Sequence, residues 1–337
     1  MRYRQLGRSG LAVSEIALGT QTFGWGADEK TAHALADLYT EAGGNFFDTA
    51  NTYNAGVSET ILGTWLKSAG KRHEKIVASK VFFRTGEGPN DWGLSRKHIL
   101  HSIDESLKRL RTDYIDLYQM HCFDRSTPIE ETLETLSDLV RRGKVRYLGV
   151  SNFTPSQLVR ARMLCAARGW SNVAALQAEY SLLVRETEWE LLPVCIEEGL
   201  GCLAWSPLAG GWLSGKYRQG EPMPGGSRAG RGDRWDDLPD QRESELAWRV
   251  IDTLGAASRE LGKTPAQAAL NWLLSKPGVT ASVIGVRTAD QLDENLGSVG
   301  WSLPVEWVKK LDEASAIPLP YPYRFIERYT KRREEGG

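Results

Sequence analysis

Along the chain, apolar positions fall into two alternating patterns. Short runs such as Phe46-Phe47, Ile76-Val77-Ala78 and Ile115 to Met120 have the length and composition of buried strands. Between them lie longer stretches with apolar residues three and four apart, the spacing of a helix with one buried face. The predicted strands cover 16–18, 45–48, 76–79, 114–121, 145–151, 173–178, 201–205 and 281–284. The predicted helices cover 30–41, 58–67, 95–110, 129–141, 155–168, 188–198 and 289–299, with two more before the last strand. Strands that alternate with helices in this way predict an α/β fold, a closed parallel (β/α)8 or TIM barrel, with no domain boundary across residues 1–337.

The ends of the chain add to this pattern. Tyr3 to Leu6 and Ala12 to Ser14 flank Gly7-Arg8-Ser9-Gly10, which reads as a β-hairpin. In the tail at 318–337, the basic Lys331-Arg332-Arg333 is mostly cancelled by Glu334 and Glu335, and the segment reads as a solvated terminus. The stretch 210–240 is rich in glycine and proline and follows the seventh barrel strand. A loop this long is usually either functional or a mobile surface segment, and we expect this one to cover a bound cofactor.

Composition excludes several classes. The 337 residues carry a net charge of −1, which gives no footprint for nucleic acid. No run approaches a membrane span, and the opening Met-Arg-Tyr-Arg has no apolar signal core, so a cytoplasmic protein is expected. The four cysteines form no CxxC, there is no HExxH, and no metal site is expected. His98 and His101 read as a solvated helix face.

The chemistry comes from what stands at the strand ends. The strand at 45–48 ends in Asp48, with Tyr53 five residues later. The next two end in Lys80 and His121. A buried carboxylate needs a cation, and parallel neighbours would bring Lys80 to Asp48. Barrel enzymes place their chemistry at this carboxyl-terminal mouth. An ammonium beside the Tyr53 hydroxyl favours phenolate and should lower its pKa. Each residue alone has an ordinary structural reading; their occurrence together at successive strand ends does not.

Asp48, Tyr53, Lys80 and His121 resemble the catalytic tetrad of the aldo-keto reductases, and the resemblance runs from about Tyr3 to about Leu311. It implies a small hairpin plugging the barrel floor, an NADP(H) cofactor and reduction of an aldehyde or ketone with Tyr53 as general acid. There is no GxGxxG motif, so the cofactor site would lie in the barrel mouth. Gly19 and Thr20 begin the loop after the first barrel strand. Ser151, Asn152 and Gln177 match the positions that hold the nicotinamide carboxamide, and Trp205 matches the ring that stacks on it. Ser206, Pro207, Leu208, Gly210 and Lys216 match the pyrophosphate loop. Gly285, Arg287, Gln291, Glu294 and Asn295 match the adenosine segment. The chain departs from some members in having Gly285 in place of a lysine and Gln291 in place of an arginine. A preference for NADP over NAD therefore rests on Arg287, whose guanidinium suits a 2′-phosphate.

Gly93 to Ile99, Trp205 to Ala209 and Ser214 to Tyr217 also resemble the voltage-gated potassium channel β-subunits. This sets an NADP-binding regulatory or docking subunit beside the reductase. His121 favours the reductase, because the channel subunits typically depart from histidine there, and so does a chain that starts almost at once with the hairpin. The expected partner is a small carbonyl or alcohol. Trp25, Phe82, Phe83, Trp92 and Phe123 are candidates for its pocket walls. Relatives include monomers, tetramers and octamers, so homo-oligomerisation stays open.

Overall fold

A computed structural model describes residues 1–222 and 244–334. The expected cover at 210–240 therefore lies mostly outside the described residues. Strands β1 (Tyr3–Gln5) and β2 (Ala12–Ser14) pair as an antiparallel hairpin. The barrel strands are β3 (Ile16–Gly19), β4 (Phe46–Asp48), β5 (Ile76–Val81), β6 (Ile115–Met120), β7 (Val145–Ser151), β8 (Val173–Glu179), β9 (Gly201–Trp205) and β10 (Val279–Gly285). They close in chain order, β10 pairing in parallel with both β3 and β9. This is the (β/α)8 barrel that the alternation predicts.

The helices on its outside are α1 (Glu29–Glu41), α2 (Val57–Ala69), α3 (Arg96–Leu110), α4 (Ile129–Arg141), α5 (Pro155–Arg168), α6 (Leu191–Glu198), α7 (Glu245–Leu261), α8 (Pro265–Ser275) and α9 (Ala289–Leu296). Two more, α10 (Val305–Ala314) and α11 (Tyr323–Glu334), follow the barrel. Helices α5 and α8 start on the same device: Thr154-Pro155-Ser156-Gln157 and Thr264-Pro265-Ala266-Gln267 each form a capping box with proline in the first turn. Proline costs nothing there, because the first amides have no partner inside the helix. The helix expected at 188–198 begins only at Leu191, after a separate turn at Glu186–Glu188. Pro193 accounts for this, since a proline fits only the first turn and so fixes where the helix starts.

Side chains on a strand alternate between faces, and here the two faces form different cores. Outward residues such as Ile16, Leu18, Phe47, Val77 and Tyr118 pack under the helices. Inward residues Ala17, Phe46, Ile76, Ala78, Leu117, Ala175, Leu203 and Ala281 fill the barrel. Leu6 and Val13 from the hairpin are fully buried against that inner group, so the hairpin plugs the floor. One step up, the same parity turns Asp48, Lys80, Gln119 and Gln177 inward, all buried. The barrel interior thus runs from an apolar floor to a polar layer beneath the mouth.

Candidate active site

The polar layer is built around Asp48. Lys80 on the adjacent strand donates to Asp48 Oδ1 at 2.5 Å. Its other contacts are the carbonyl of Thr49 at 3.0 Å and the hydroxyl of Tyr53 at 3.1 Å. An ammonium has three protons, and all three are used. Two carboxamides turn to the second oxygen: Gln177 Nε2 donates to Asp48 Oδ2 at 2.8 Å and Gln119 Nε2 at 3.3 Å. Facing a carboxylate, each amide can present only its nitrogen. The ion pair is therefore buried with its hydrogen bonds made, the condition under which such a pair is tolerated.

Tyr53 reaches this layer through a tight turn. After β4 the chain passes to Asn54 and Ala55, both left-handed at φ 50° and 52°. Non-glycine residues adopt that conformation at a cost of about 1–3 kcal/mol each. Asn152 (φ 55°), Ser206 (φ 54°) and Ala209 (φ 48°) are left-handed as well, at the ends of β7 and β9. Backbone strain thus collects around the mouth. Asn152 Nδ2 donates to the His121 carbonyl at 2.9 Å, which joins the ends of β6 and β7.

The His121 ring lies edge-on to Tyr53, centroids 5.8 Å apart, and to Phe83 at 4.7 Å. Burial pulls the imidazole well below its ordinary range and the Lys80 charge adds to this, so His121 is neutral at pH 7. Burial also pulls the Lys80 ammonium down, but Asp48 and Tyr53 outweigh it and leave the pKa raised. For Tyr53 the net shift is the reverse of the sequence expectation. Lys80 does favour the phenolate, yet burial acts more strongly and, with Asp48, pushes the phenol up.

Above the layer opens a cavity of about 1080 Å³. It is large beside ordinary small-molecule sites of about 300–1,000 Å³. Asp48, Tyr53 and His121 line it together with Gly19, Ser151, Asn152, Gln177 and Trp205. From there it runs past Ser206, Pro207, Leu208, Gly210 and Lys216 to Gly285, Arg287, Gln291, Glu294 and Asn295. The cleft thus brings Asp48, Tyr53 and His121 and the expected cofactor residues into one continuous space. Lys80 lies just beneath, fully buried.

Other expected residues stand elsewhere. Thr20 is buried outside the cavity lining, its hydroxyl near the Asp48 carbonyl at 3.2 Å and Ser58 Oγ at 2.8 Å. Of the aromatic candidates, Trp25 and Phe83 line the cavity. Phe82, Trp92 and Phe123 do not. Phe82 packs edge-on to Phe83, Phe123 packs edge-on to Phe153, and Trp92 is exposed beneath the Arg84 guanidinium. Gln21, Thr52, Cys122 and Glu179 line the cavity without having been singled out in the sequence.

The donor set fits a dinucleotide. At the inner end Ser151, Asn152 and Gln177 offer hydroxyl and amide groups for a carboxamide. Trp205 Nε1 is buried and has no hydrogen-bond partner among the described residues. At the outer end stand two cations, Lys216 and Arg287, of the charge that suits phosphates. Among the described residues no group of three His, Cys, Asp or Glu side chains could hold a metal ion. No helix among them is long and apolar enough to cross a membrane.

A parallel barrel with a buried acid–amine pair, a phenol and an imidazole at the head of one long cleft is the framework of a barrel oxidoreductase. The chain belongs to the aldo/keto reductase family, whose model matches residues 15–316. An uncharacterized oxidoreductase of Bacillus subtilis (strain 168), YrpG, is 42% identical over 323 residues, covering 93% of this chain and 95% of that one. A protein of Oryza sativa subsp. japonica named "Probable voltage-gated potassium channel subunit beta" is 36% identical over 326 residues, 96% of this chain and 98% of its own. One of the same name from Arabidopsis thaliana is 37% identical over 301 residues, 89% and 91% of the two chains. Both resemblances drawn from the sequence are thereby borne out, and the protein is an oxidoreductase by family.

Proposed function

We propose that this oxidoreductase uses NADP(H) to reduce an aldehyde or ketone to an alcohol, with Tyr53 as the general acid. The observation that carries this reading is the Lys80–Tyr53 contact of 3.1 Å beneath the cleft. When bound, the nicotinamide would supply the hydride that reaches the carbonyl carbon. The Tyr53 hydroxyl gives its proton to the carbonyl oxygen as negative charge builds there. The Lys80 ammonium stabilises the phenolate that remains, and Asp48 keeps that ammonium in place. His121, neutral, donates a hydrogen bond that orients the carbonyl. Ser151, Asn152 and Gln177 hold the carboxamide, and Trp205 covers one ring face. Arg287 takes the 2′-phosphate and Lys216 the pyrophosphate. Trp25 and Phe83 form the wall on the substrate side.

The 36–37% identity to proteins named as channel β-subunits supports a second reading, a subunit that binds the nucleotide with little turnover. A panel of aldehydes and ketones, followed by loss of reduced-nicotinamide absorbance with NADPH and with NADH, separates the two. Turnover with NADPH is the expected result. Tight NADPH binding with no turnover on any carbonyl would favour the regulatory reading.

A further inference from the structure

The polar layer holds one side chain that this chemistry leaves without a task. Gln119 lies inside β6 and is fully buried. Its register partners are Lys80 on β5 and Gly149 on β7. An amide in a barrel interior is costly unless its groups are bonded. Gln119 Nε2 donates to Asp48 Oδ2, but among the described residues its Oε1 has no partner. A residue there only to fill space would be apolar, as Leu117 is two positions earlier. The neighbouring strand leaves room for the side chain: a Cβ on Gly149 would stand 2.9 Å from Gln119 Cγ.

Gln177 also donates to Asp48 Oδ2, yet the two amides are not equivalent. Gln177 lines the cavity, where a bound carboxamide can compete for it. Gln119 is outside the lining, and no ligand in the cleft meets it. Its bond to Asp48 is made below the cleft, away from the surface a ligand would touch.

We infer that Gln119 is a positioning residue: by fixing Asp48 Oδ2 it keeps Oδ1 on Lys80, and so keeps the ammonium aimed at the Tyr53 hydroxyl. This rests on the reading of Tyr53 as the proton donor. Methionine is unbranched and of similar reach but cannot donate. In Gln119→Met, kcat for carbonyl reduction falls about tenfold or more while KM stays within about twofold, because the loss is confined to the reacting geometry. The melting temperature holds or rises, because an unsatisfied buried oxygen is removed. In Gln119→Glu, the ratio of variant to wild-type kcat climbs as pH falls, since only the protonated acid can donate to Asp48.

A wild-type kcat in Gln119→Met overturns the inference. So does a kcat loss that tracks a loss of melting temperature with an unchanged pH profile, which is a structural role. If Gln119→Met does not fold, Gln119→Glu decides, and a pH-independent ratio overturns the proposal. Tyr53→Phe is the control for the underlying reading. Wild-type turnover in that variant removes the proton-donor role itself. An inactive Tyr53→Phe beside a fully active Gln119→Met removes only the role of Gln119.

Discussion

Lys80 Nζ stands 3.1 Å from the Tyr53 hydroxyl while being fully buried inside the barrel. A charge in that position is tolerable only because Asp48 is 2.5 Å away on the adjacent strand. The same pair acts on the phenol, Lys80 favouring its phenolate and Asp48 opposing it, and it holds two buried charges together at the barrel mouth.

Removing one partner separates these roles. Lys80→Met leaves Asp48 buried without its cation and should cost about 3–5 kcal/mol of stability. Asp48→Asn/Lys80→Met should recover most of that loss and still be inactive. Thermal denaturation and turnover of the three proteins check this. A double variant no more stable than Lys80→Met would show that the pair does not govern the mouth's stability.

The shifted groups fix the pH dependence. Burial pushes Tyr53 above its ordinary value of 10.0, and Tyr53 must be protonated to act as an acid, so the alkaline fall of kcat/KM should lie above pH 10. Burial holds His121 below its ordinary 6.5, and it does the same to His98, which the sequence reading places on a solvated helix face but which is buried on α3. The unfolded chain then binds more protons than the folded one below about pH 6.5, and stability falls as pH drops through that range. His98→Gln should shrink this acid loss without changing the alkaline limb of activity. Melting temperatures between pH 4 and 8 would check it, where ~4 lies well below the ordinary histidine range.

Arg287 tests the choice of nucleotide. Charge-assisted hydrogen bonds to phosphate are worth about 1.5–3 kcal/mol, so Arg287→Ala should weaken NADPH binding by about tenfold or more. NADH, which lacks the 2′-phosphate, should lose far less. Fluorescence titration of both nucleotides on both proteins measures this. Equal NADH and NADPH affinity in the wild type would remove the argument for NADP.

Outside the site, the crossing of α2 on α3 depends on Gly63. A Cβ there would meet the Arg109 carbonyl oxygen at 2.1 Å and Leu110 Cα at 2.7 Å. Both are backbone atoms and cannot turn aside. Gly63→Ala should cost about 1–3 kcal/mol despite its better helix propensity. A melting temperature at or above wild type would mean the two helices can separate without loss.

The barrel was legible because its signals are local and periodic. Apolar strands that end in Asp48, carry Lys80 one residue before their end or lead directly into His121 alternate with helices whose starts, such as Thr154-Pro155-Ser156-Gln157, carry their own caps. The strand ends of the tetrad were readable for the same reason, since parity and parallel order fix where they meet. Loop side chains have no such periodicity. Phe82 and Phe83 are adjacent, yet only Phe83 lines the cavity, and Thr20 turns its hydroxyl to Ser58 rather than to the cleft. The net sign on Tyr53 is not legible in the sequence either, because the pairing with Lys80 says nothing of how deeply the phenol is buried. Gln119 did leave a signal: a glutamine inside Ile115 to Met120 breaks an apolar run, and the cost of burying it asks for a partner.

The most direct test is single-turnover reaction of Tyr53→Phe preloaded with NADPH and mixed with a carbonyl that the wild type reduces. The expected result is NADPH bound about as tightly as in the wild type, with reduction slowed by about a hundredfold or more. Reduction at the wild-type rate would contradict the central claim, because the proton would then have to come from somewhere other than the phenol beside Lys80.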